Sequence, residues 1–286
     1  MTSPQNMALA SLAPETLQRA RGHITVGFRA RAGRTVLDVL RQQGCLKARL
    51  PRAVDEGWAE AVCLNNSGGI AGGDDLSTCL RVGAGAAAVL TTASAERIYR
   101  AARADAPARI RNSVVLGDGA RAEWLPQETI LFDASSLDRA LSIDLPSSAS
   151  LLGVETLVFG RLAMGEIVRS AHLRDRISIR RDGRLILQDV LRPPPDIDAA
   201  IARRAVADGA RSTTTLFRVA PDAAASLPAV RDVLAAHPAV EAGASAWDGM
   251  LVVRMLACDP SHARAAIAAL LHLLRDGRML PRVWSC

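Results

Sequence analysis

The chain contains 286 residues, of which 49% are hydrophobic and 22% are charged, a balance typical of a globular protein with one or two buried cores. No apolar run reaches the roughly 20 residues that a membrane-spanning helix requires, and residues 1–14 lack the basic start of a secretory signal, so we expect a cytoplasmic protein without a membrane partner. The net charge is +6, but Lys47 is the only lysine among 35 basic residues, and aromatic residues make up 3% of the chain. The dispersed arginines and scarce aromatic residues argue against a nucleic-acid partner.

The cysteines and histidines are scattered, and neither residue type forms a metal-binding pattern. The five cysteines include no pair at two-residue spacing, which disfavours a zinc site or a redox dithiol. His262 and His272 share one predicted helix but lie ten residues apart, so they point in different directions. We therefore expect reduced thiols and no tightly bound cofactor.

Residues 21–192 are predicted to form the β body of the protein. Apolar and polar residues alternate in short runs between Gly, Asp and Pro residues, as in 76–82, which is typical of half-exposed strands. Asp182 and Gly183 join two such runs, and an Asp-Gly pair flanked in this way is a strong hairpin signal. The pattern predicts a mainly β fold of many short antiparallel strands. Residues 1–20 are interpreted as a flexible extension that precedes the body.

A second part of different character is predicted over residues 193–286. Three prolines at 193–195 end the β body, because proline cannot donate a hydrogen bond to a β ladder. We expect a short helix within 198–207 and a strand over 213–219. The boundary is soft, so the two parts are also compatible with one continuous domain.

The end of the chain predicts a small helix-strand-strand-helix lobe. Apolar residues have helical spacing over 227–234, and two apolar runs then meet at Asp248 and Gly249. A second helical stripe follows, which Asp259 is suited to cap and Gly277 is suited to end. The apolar stripe is interpreted as a packing face.

The segment 64–75 is rich in glycine and ends in two acids, Asp74 and Asp75. Glycine permits backbone angles that other residues avoid, and it allows another backbone or an ion to approach closely. A phosphate-binding loop needs Lys and then Ser or Thr after its last glycine, whereas two acids would repel phosphate, so we exclude a nucleotide site. The segment is either a structural turn cluster or a site of close approach, and the residues alone leave both interpretations open. The four glycines are Gly68, Gly69, Gly72 and Gly73.

Glu128 and Glu155 each interrupt an apolar stretch, at 124–132 and 151–159 respectively. A charge in an apolar strand costs free energy unless it is paired, hydrated or bound to a metal. The structural interpretation is an ion pair with a core arginine, for which Arg161 lies near in sequence. One functional interpretation is an acidic lining for the passage of a cation. Another is a hydrolase or lyase of unrecognised β fold that uses the two glutamates as an acid and a base.

An ordered series of motifs runs through the chain. Together the motifs resemble those of the UreD family of urease accessory proteins, also called UreH, from about residue 22 to the end. Their order and spacing make the resemblance specific. The motifs are Gly-Gly-Ile-Ala-Gly-Gly-Asp at 68–74, Thr-Thr at 91–92 with Arg-Ile-Tyr-Arg at 97–100, Trp-Leu-Pro-Gln-Glu-Thr-Ile-Leu-Phe at 124–132, Glu155 with Phe-Gly-Arg at 159–161, Met-Gly-Glu at 164–166 and Pro-Arg-Val-Trp at 281–284.

The resemblance implies a urease maturation factor that is not an enzyme and that has a distorted β-helix or barrel-like body. It implies binding to UreF, recruitment of the GTPase UreG through UreF, and docking on apo-urease to support nickel insertion, with GTP hydrolysis performed by UreG. It also implies transient passage of nickel along an internal acidic path, because carboxylate oxygens hold a divalent cation loosely enough to release it. By resemblance, the candidate lining residues are Asp74, Glu128, Glu155 and Glu166, and the supporting residues are Gly68, Gly69, Gly72, Gly73, Tyr99, Arg100 and Arg161.

Overall fold

The structure is a computed structural model that describes residues 18–52, 55–102, 106–161 and 164–285. The predicted extension 1–20 therefore lies almost entirely outside the described residues. The first nine strands are β1 (Arg21–Arg31), β2 (Arg34–Gly44), β3 (Leu46–Arg49), β4 (Ala59–Asn65), β5 (Asp75–Val82), β6 (Ala87–Thr92), β7 (Glu96–Ile98), β8 (Ala108–Leu116) and β9 (Arg121–Leu125). The later strands are β10 (Thr129–Leu131), β11 (Ser135–Leu145), β12 (Ser150–Phe159), β13 (Ala171–Arg181), β14 (Arg184–Leu191), β15 (Ser212–Val219), β16 (Glu241–Trp247) and β17 (Met250–Ala257). The α-helices are α1 (Ile197–Ile201), α2 (Leu227–Ala235) and α3 (Pro260–Leu274).

The strands form two sheets through which the chain winds as a solenoid. Sheet A has the strand order β14-β13-β11-β8-β5-β1-β2. Sheet B has the order β16-β17-β15-β12-β9-β6-β4-β3, with β10 and β7 attached beside β12. From β4 to β13 the longer strands alternate between the sheets, so each turn of the chain adds one strand to both. The prediction of a mainly β, β-helix-like body is confirmed.

The prediction of antiparallel pairing is wrong for the centre of both sheets. In sheet A, β1, β5, β8, β11 and β13 pair in parallel, as do β4, β6, β9 and β12 in sheet B. Antiparallel pairs occur towards the ends of the sheets, as in the predicted hairpin of β13 and β14, where Asp182 and Gly183 have positive φ values of 51° and 75°. Alternation of polar and apolar residues reports only that one face of a strand is buried, so it does not distinguish the two directions of pairing.

Two layers of apolar side chains separate three layers of secondary structure. The first apolar layer lies between the sheets and includes Ile24, Leu80 and Ile143, which have no exposed surface. The second lies between sheet B and the helices α2 and α3, and it includes Leu251 and Leu270. Sheet B is therefore covered on both faces near β12, which explains why that strand is buried along almost its whole length.

The C-terminal part contains the predicted lobe, in which α2, β16, β17 and α3 follow one another. Asp259 caps α3, because its side chain accepts a hydrogen bond of 2.8 Å from the backbone N–H of Ser261. The helix predicted within 198–207 is short, since α1 ends at Ile201. β15 pairs with β12 and so continues sheet B, while the domain division at residue 193 stays a prediction. Along the described chain, no helix combines the length and the apolarity that a membrane span requires.

Candidate functional site

Glu155 lies in the middle of β12, and its side chain points into the space between the two sheets. Its Oε2 atom lies 2.6 Å from Nη1 of Arg139, which belongs to β11 of the opposite sheet. Its Oε1 atom accepts a hydrogen bond of 2.8 Å from Nε1 of Trp124 on the neighbouring strand β9. Both carboxylate oxygens are therefore occupied, and one buried acid connects the two sheets.

Arg139 connects Glu155 to a second acid, Asp175. Arg139 and Asp175 are direct partners in the parallel register of β11 and β13, so their side chains project from the same face of sheet A. The guanidinium donates from Nε to Oδ1 of Asp175 at 2.9 Å and from Nη2 to Oδ2 at 2.6 Å, which is a two-pronged ion pair. Nη1 also donates to Oγ1 of Thr129 at 3.0 Å. We call Glu155, Arg139 and Asp175 the interior ion triad; each residue is less than a tenth exposed.

Burial and charge act in opposite directions within the interior ion triad. Burial raises the pKa of Glu155, the charge of Arg139 opposes this effect, and the charge of Asp175 adds to it. Burial would lower the pKa of the Arg139 guanidinium, but the carboxylates of Asp175 and Glu155 together raise that pKa above its ordinary value. Arg139 therefore stays charged. The triad carries one net negative charge when both acids are ionised.

Two cavities meet at the interior ion triad. An inner cavity of about 70 Å³ lies between the sheets, and its lining includes Cys63, Glu96 and Arg139. An outer cavity of about 500 Å³ lies between β14 of sheet A and the strands β15 to β17 of sheet B, and its lining includes Asp175. Among the described residues, Glu155 alone belongs to both linings.

Further polar groups line the two cavities. In the inner cavity, Nδ2 of Asn65 donates to Oε2 of Glu96 at 3.0 Å, and burial raises the pKa of Glu96. Burial also raises the pKa of the Cys63 thiol to about 12, so this thiol stays protonated at neutral pH. In the outer cavity, Asp189 pairs with Arg254 at 3.0 Å. In the part of the chain that the structure describes, no group of three or more His, Cys, Asp or Glu side chains is arranged to hold a metal ion.

Glu155 forms an ion pair, as the structural interpretation predicted, but Arg161 is not its partner. Arg161 lies beyond the end of β12, and six extended residues span roughly 20 Å, so it cannot balance a charge in the middle of the strand. Its Nε donates to Oε2 of Glu166 at 2.8 Å instead. Sequence reasoning missed Arg139 and Asp175, although a signal was present. Each occupies an inward position on a strand whose neighbouring inward positions are apolar.

Glu128 lies at the contact between the β body and α3. Its Oε1 atom is 2.8 Å from Nη1 of Arg264, which also donates to Oε1 of Gln127 and, through Nη2, to the backbone oxygen of Trp284. Glu128 lines neither the inner nor the outer cavity. Glu128 and Glu155 therefore have different arginine partners, and of these two acids Glu155 alone lines the cavities.

Asp74 clamps the backbone at the end of the glycine-rich segment. Its Oδ1 accepts a hydrogen bond from the backbone N–H of Ala20 and its Oδ2 accepts one from Ala71, both at 2.8 Å. Gly72 lies so close to a neighbouring loop that an added Cβ would be 2.7 Å from the backbone oxygen of Ala106. Gly73 has a φ of +90°, which favours glycine. This end of the segment therefore fits the turn-cluster interpretation.

Several predicted supporting residues meet at the loops that follow the strands of sheet B. The Tyr99 hydroxyl donates to the backbone oxygen of Gly68 at 3.1 Å, and a Cβ on Gly69 would lie 2.2 Å from the Tyr99 ring. The rings of Tyr99 and Phe132 pack edge to face with centroids 4.9 Å apart, and the Arg161 guanidinium lies 4.4 Å from the centre of the Phe132 ring. We call this group the loop cluster, which consists of Gly68, Gly69, Tyr99, Phe132, Arg161 and Glu166.

Arg100 directly follows Tyr99 in sequence, and its Nη2 atom lies 3.9 Å from Oδ2 of Asp133. Oδ1 of Asp133 accepts hydrogen bonds from the backbone N–H groups of Ser170 at 3.0 Å and Arg169 at 2.9 Å. The Ser170 hydrogen bond lowers the pKa of Asp133, burial opposes it, and the Arg169 hydrogen bond lowers it further, so the pKa lies below its ordinary value. Asp133 thereby fixes the segment that leads into β13.

We expect Asp133→Asn to remove an acid-sensitive contribution to stability. The folded-state pKa of Asp133 lies below the unfolded value of about 4, so its contribution is complete above pH 4 and is lost as the pH falls through the folded pKa. Urea denaturation of the wild type and the variant at several pH values measures this. The stability difference between them should be largest near neutral pH and should shrink below pH 4. A difference that stays constant with pH contradicts this role.

A second buried ion network attaches the end of α3 to sheet B. Nε of Arg275 lies 2.8 Å from Oε2 of Glu123, and these two side chains are each 2% exposed. Arg278 contacts the other Glu123 oxygen, and both arginines contact Oδ2 of Asp55, at 3.4 Å from Arg275 and 3.1 Å from Arg278. We call Glu123, Arg275, Arg278 and Asp55 the C-terminal network. It borders neither the inner nor the outer cavity, and sequence reasoning did not predict it.

Comparison with known proteins identifies the family. A family model described as UreD urease accessory protein matches residues 20–285. The urease accessory protein UreD of Dinoroseobacter shibae is 45% identical over 284 residues, which cover 99% of this chain and 98% of that relative. The proteins of the same name from Methylobacterium sp. and Cereibacter sphaeroides are 44% and 47% identical, over 94% and 95% of this chain and 95% and 97% of their own length. The chain therefore belongs to the UreD family of urease accessory proteins.

Proposed function

We propose that this chain acts in the cytoplasm as a subunit of a urease maturation complex and performs no catalysis itself. In this proposal it binds UreF, engages UreG through UreF, and docks on apo-urease to support GTP-dependent nickel insertion, with GTP hydrolysis performed by UreG. Membership of the UreD family supports the role in urease maturation. Nickel is the cargo of the complex and passes through the chain transiently.

The observation that carries the proposed nickel path is the position of Glu155. It is the point at which the inner and outer cavities meet, and its carboxylate faces the space between the sheets. The inner cavity places Glu96 on one side of Glu155, and the outer cavity places Asp175 and Asp189 on the other. We propose that nickel passes along this series of acids.

The chemistry of the lining suits a transient cation. Carboxylate oxygens and water bind divalent cations without the strong preference that thiolate or imidazole ligands give to late transition metals. The thiol of Cys63, the softest donor of the inner cavity, stays protonated at neutral pH. A path that lacks strong ligands permits both entry and release of nickel, as conduction through a channel requires.

The proposed path retains one of the four acids that the family resemblance suggested. Glu155 borders both cavities, whereas the carboxylates of Asp74, Glu128 and Glu166 bind backbone amides or arginines away from those cavities. We therefore propose Glu155 as the central residue of the path. The other three acids are assigned to holding loops and the C-terminal lobe.

The maturation role is tested by the nickel content of urease. We expect urease purified from cells that express the full urease gene set without this chain to be poor in nickel and inactive. Restoring the chain should restore both the nickel content and the activity. Equal nickel contents with and without the chain would remove the maturation role.

The path is tested by comparing Glu155→Gln with Glu166→Gln. Both changes replace one paired carboxylate by an amide of the same shape, but Glu166 lies outside the two cavities. We expect Glu155→Gln to lower the nickel content of urease at least about tenfold, which corresponds to 1.4 kcal/mol in the transfer step, and Glu166→Gln to lower it less than twofold. Equal losses in the two variants, at equal amounts of soluble protein, would contradict the path.

The hydrolase or lyase alternative has no supporting observation in the described residues. Its two glutamates have different partners, since Glu128 pairs with Arg264 and Glu155 pairs with Arg139. The acid–base mechanism requires both groups within reach of one substrate. Turnover of a substrate by the purified chain, lost in Glu155→Gln, would restore the alternative.

A further inference from the structure

The interior ion triad forms the partition between the two cavities. The inner cavity is lined by Arg139 and Glu155, whereas the outer cavity is lined by Glu155 and Asp175. The ion pairs between these residues, 2.6 Å from Arg139 to each acid, therefore lie where the cavities are separated. Because Glu155 is the one described residue that lines both cavities, we take the route of a cation between them to pass Glu155 and Asp175.

The position between the two acids is already occupied by a cation of the chain itself. The Arg139 guanidinium donates two hydrogen bonds to Asp175 and one to Thr129, and it forms an ion pair with Glu155. As long as these contacts persist, no space remains between the carboxylates for a metal ion. The contact with Thr129, which lines the inner cavity, offers a place where the guanidinium can remain after it leaves the acids.

We propose that Arg139 is a gate in the nickel path, which a divalent cation opens by displacing the guanidinium from Glu155 and Asp175. This inference rests on the proposed function, since it concerns the same path. In the closed state the guanidinium bridges the two carboxylates. In the open state the divalent cation bridges them, and Arg139 is held by Thr129 alone.

The gate selects by charge. A monovalent ion such as K⁺ carries no more charge than the guanidinium and makes no hydrogen bonds, so it gains nothing by replacing Arg139. A divalent cation doubles the attraction to the two carboxylates, which is strong in a buried site. Ni²⁺ also forms stronger complexes with nitrogen and oxygen ligands than Mn²⁺ or Fe²⁺ does, and Mg²⁺ loses its water reluctantly. The abundant ions of the cell are therefore kept from the path.

Trp124 provides a direct readout of the gate. Its Nε1 atom is 2.8 Å from Oε1 of Glu155, so Ni²⁺ bound between Glu155 and Asp175 should quench its fluorescence. We propose to titrate the purified full chain with Ni²⁺ and to subtract the signal of a Trp124→Phe variant, which contains the other tryptophans. KCl and choline chloride at equal ionic strength should give the same Ni²⁺ midpoint, because K⁺ does not compete. A higher midpoint in KCl would overturn the charge selection.

The decisive variant is Arg139→Lys. A lysine ammonium is a compact charge that cannot reproduce the two-pronged pair with Asp175 while it contacts Glu155. Because the open state then competes with a weaker closed state, the Ni²⁺ midpoint should fall on the order of tenfold or more. A midpoint that is unchanged or higher would overturn the gate. Glu155→Gln should abolish the quenching.

Two further variants separate the gate from a merely structural role. Arg275→Lys makes the same change in the C-terminal network, where the arginine is equally buried but borders neither cavity, so its midpoint should stay within about twofold of the wild type. Thr129→Val removes the one contact that holds the Arg139 guanidinium in the open state and leaves both acids intact, so its midpoint should rise. If the Arg139→Lys variant does not fold, the Thr129→Val variant provides the test of the gate. A midpoint that is unchanged or lower in Thr129→Val would contradict the gate.

The outcomes distinguish the gate from the proposed function. If urease needs this chain for nickel but the Arg139→Lys midpoint does not fall, the maturation role stands and the gate is wrong. If the midpoint falls but urease acquires nickel equally well without the chain, the gate is a property of the cavities and the proposed function is wrong.

Discussion

Replacing Arg139 with methionine should lower the free energy of unfolding by about 3–5 kcal/mol. The change removes a buried cation from between two buried acids, so Glu155 and Asp175 lose their ion pair and repel each other. Without Arg139, burial and the charge of Asp175 both raise the folded-state pKa of Glu155, so the loss should be larger at about pH 8 than at about pH 5, where protonation of Glu155 relieves it. Urea denaturation of the full chain, followed by circular dichroism at both pH values, measures the effect.

A triple variant provides the control for this prediction. Adding Glu155→Gln and Asp175→Asn to Arg139→Met removes every charge of the interior ion triad and keeps the volumes similar. Replacing a buried ion group as a whole is often close to neutral, whereas removing one partner leaves an uncompensated charge. The triple variant should thus be more stable than the single variant. The explanation is contradicted if the single variant loses less than about 1 kcal/mol of unfolding free energy, or if the triple variant is less stable than the single variant.

Replacing Arg275 with methionine should also lower the free energy of unfolding by about 3–5 kcal/mol. Glu123 would keep only Arg278, and the last turn of α3 would lose its connection to β9. The Arg275 guanidinium also donates to the backbone oxygens of Arg278 and Met279, which would be left without that donor. Urea denaturation measures the loss, and hydrogen exchange should show faster opening of α3 than of the strands of sheet A.

Arg254→Met is the matched control for Arg275→Met. Arg254 also pairs with an acid, Asp189 at 3.0 Å, but its side chain is 61% exposed. Exposed ion pairs contribute about 0–1 kcal/mol, because water solvates both charges in the unfolded and folded states. The control should therefore remain within about 1 kcal/mol of the wild type. Equal losses in the two variants would show that burial of the C-terminal network does not determine its contribution.

Local patterns in the sequence were sufficient for the fold class and for the C-terminal lobe. Alternation predicted the strands because one face of each is buried, and the Asp248-Gly249 turn and the Asp259 cap act within a few residues of their own position. The direction of pairing could not be predicted, since it depends on which distant strand lies alongside. In the centre of the solenoid, consecutive long strands belong to different sheets, so neighbouring strands of one sheet run in the same direction. A pattern that spans a few residues does not contain this information.

The candidate site was predictable only at one position. Glu155 was identified because it interrupts an apolar strand, and the same argument applied to Arg139 and Asp175 would have found the whole triad. The motifs of the family also led to Asp74, Glu128 and Glu166, which line neither the inner nor the outer cavity. Asp74 and Glu128 contact Ala20 and Arg264, which lie far away in sequence, so these contacts leave no local signal, whereas Glu166 pairs with the nearby Arg161.

The winding of the chain between two sheets has a consequence for how the protein folds. His23 of β1 contacts Ser77 of β5, 54 positions later, and the parallel ladder cannot begin until the intervening chain has crossed to sheet B and returned. Contacts at such separation require closure of long loops before any stabilisation is gained, so we expect folding in milliseconds to seconds. During synthesis, each completed turn presents the unpaired edge of a strand until the next turn covers it. The nascent chain is therefore exposed to aggregation until β14 has paired with β13 and β15 has paired with β12.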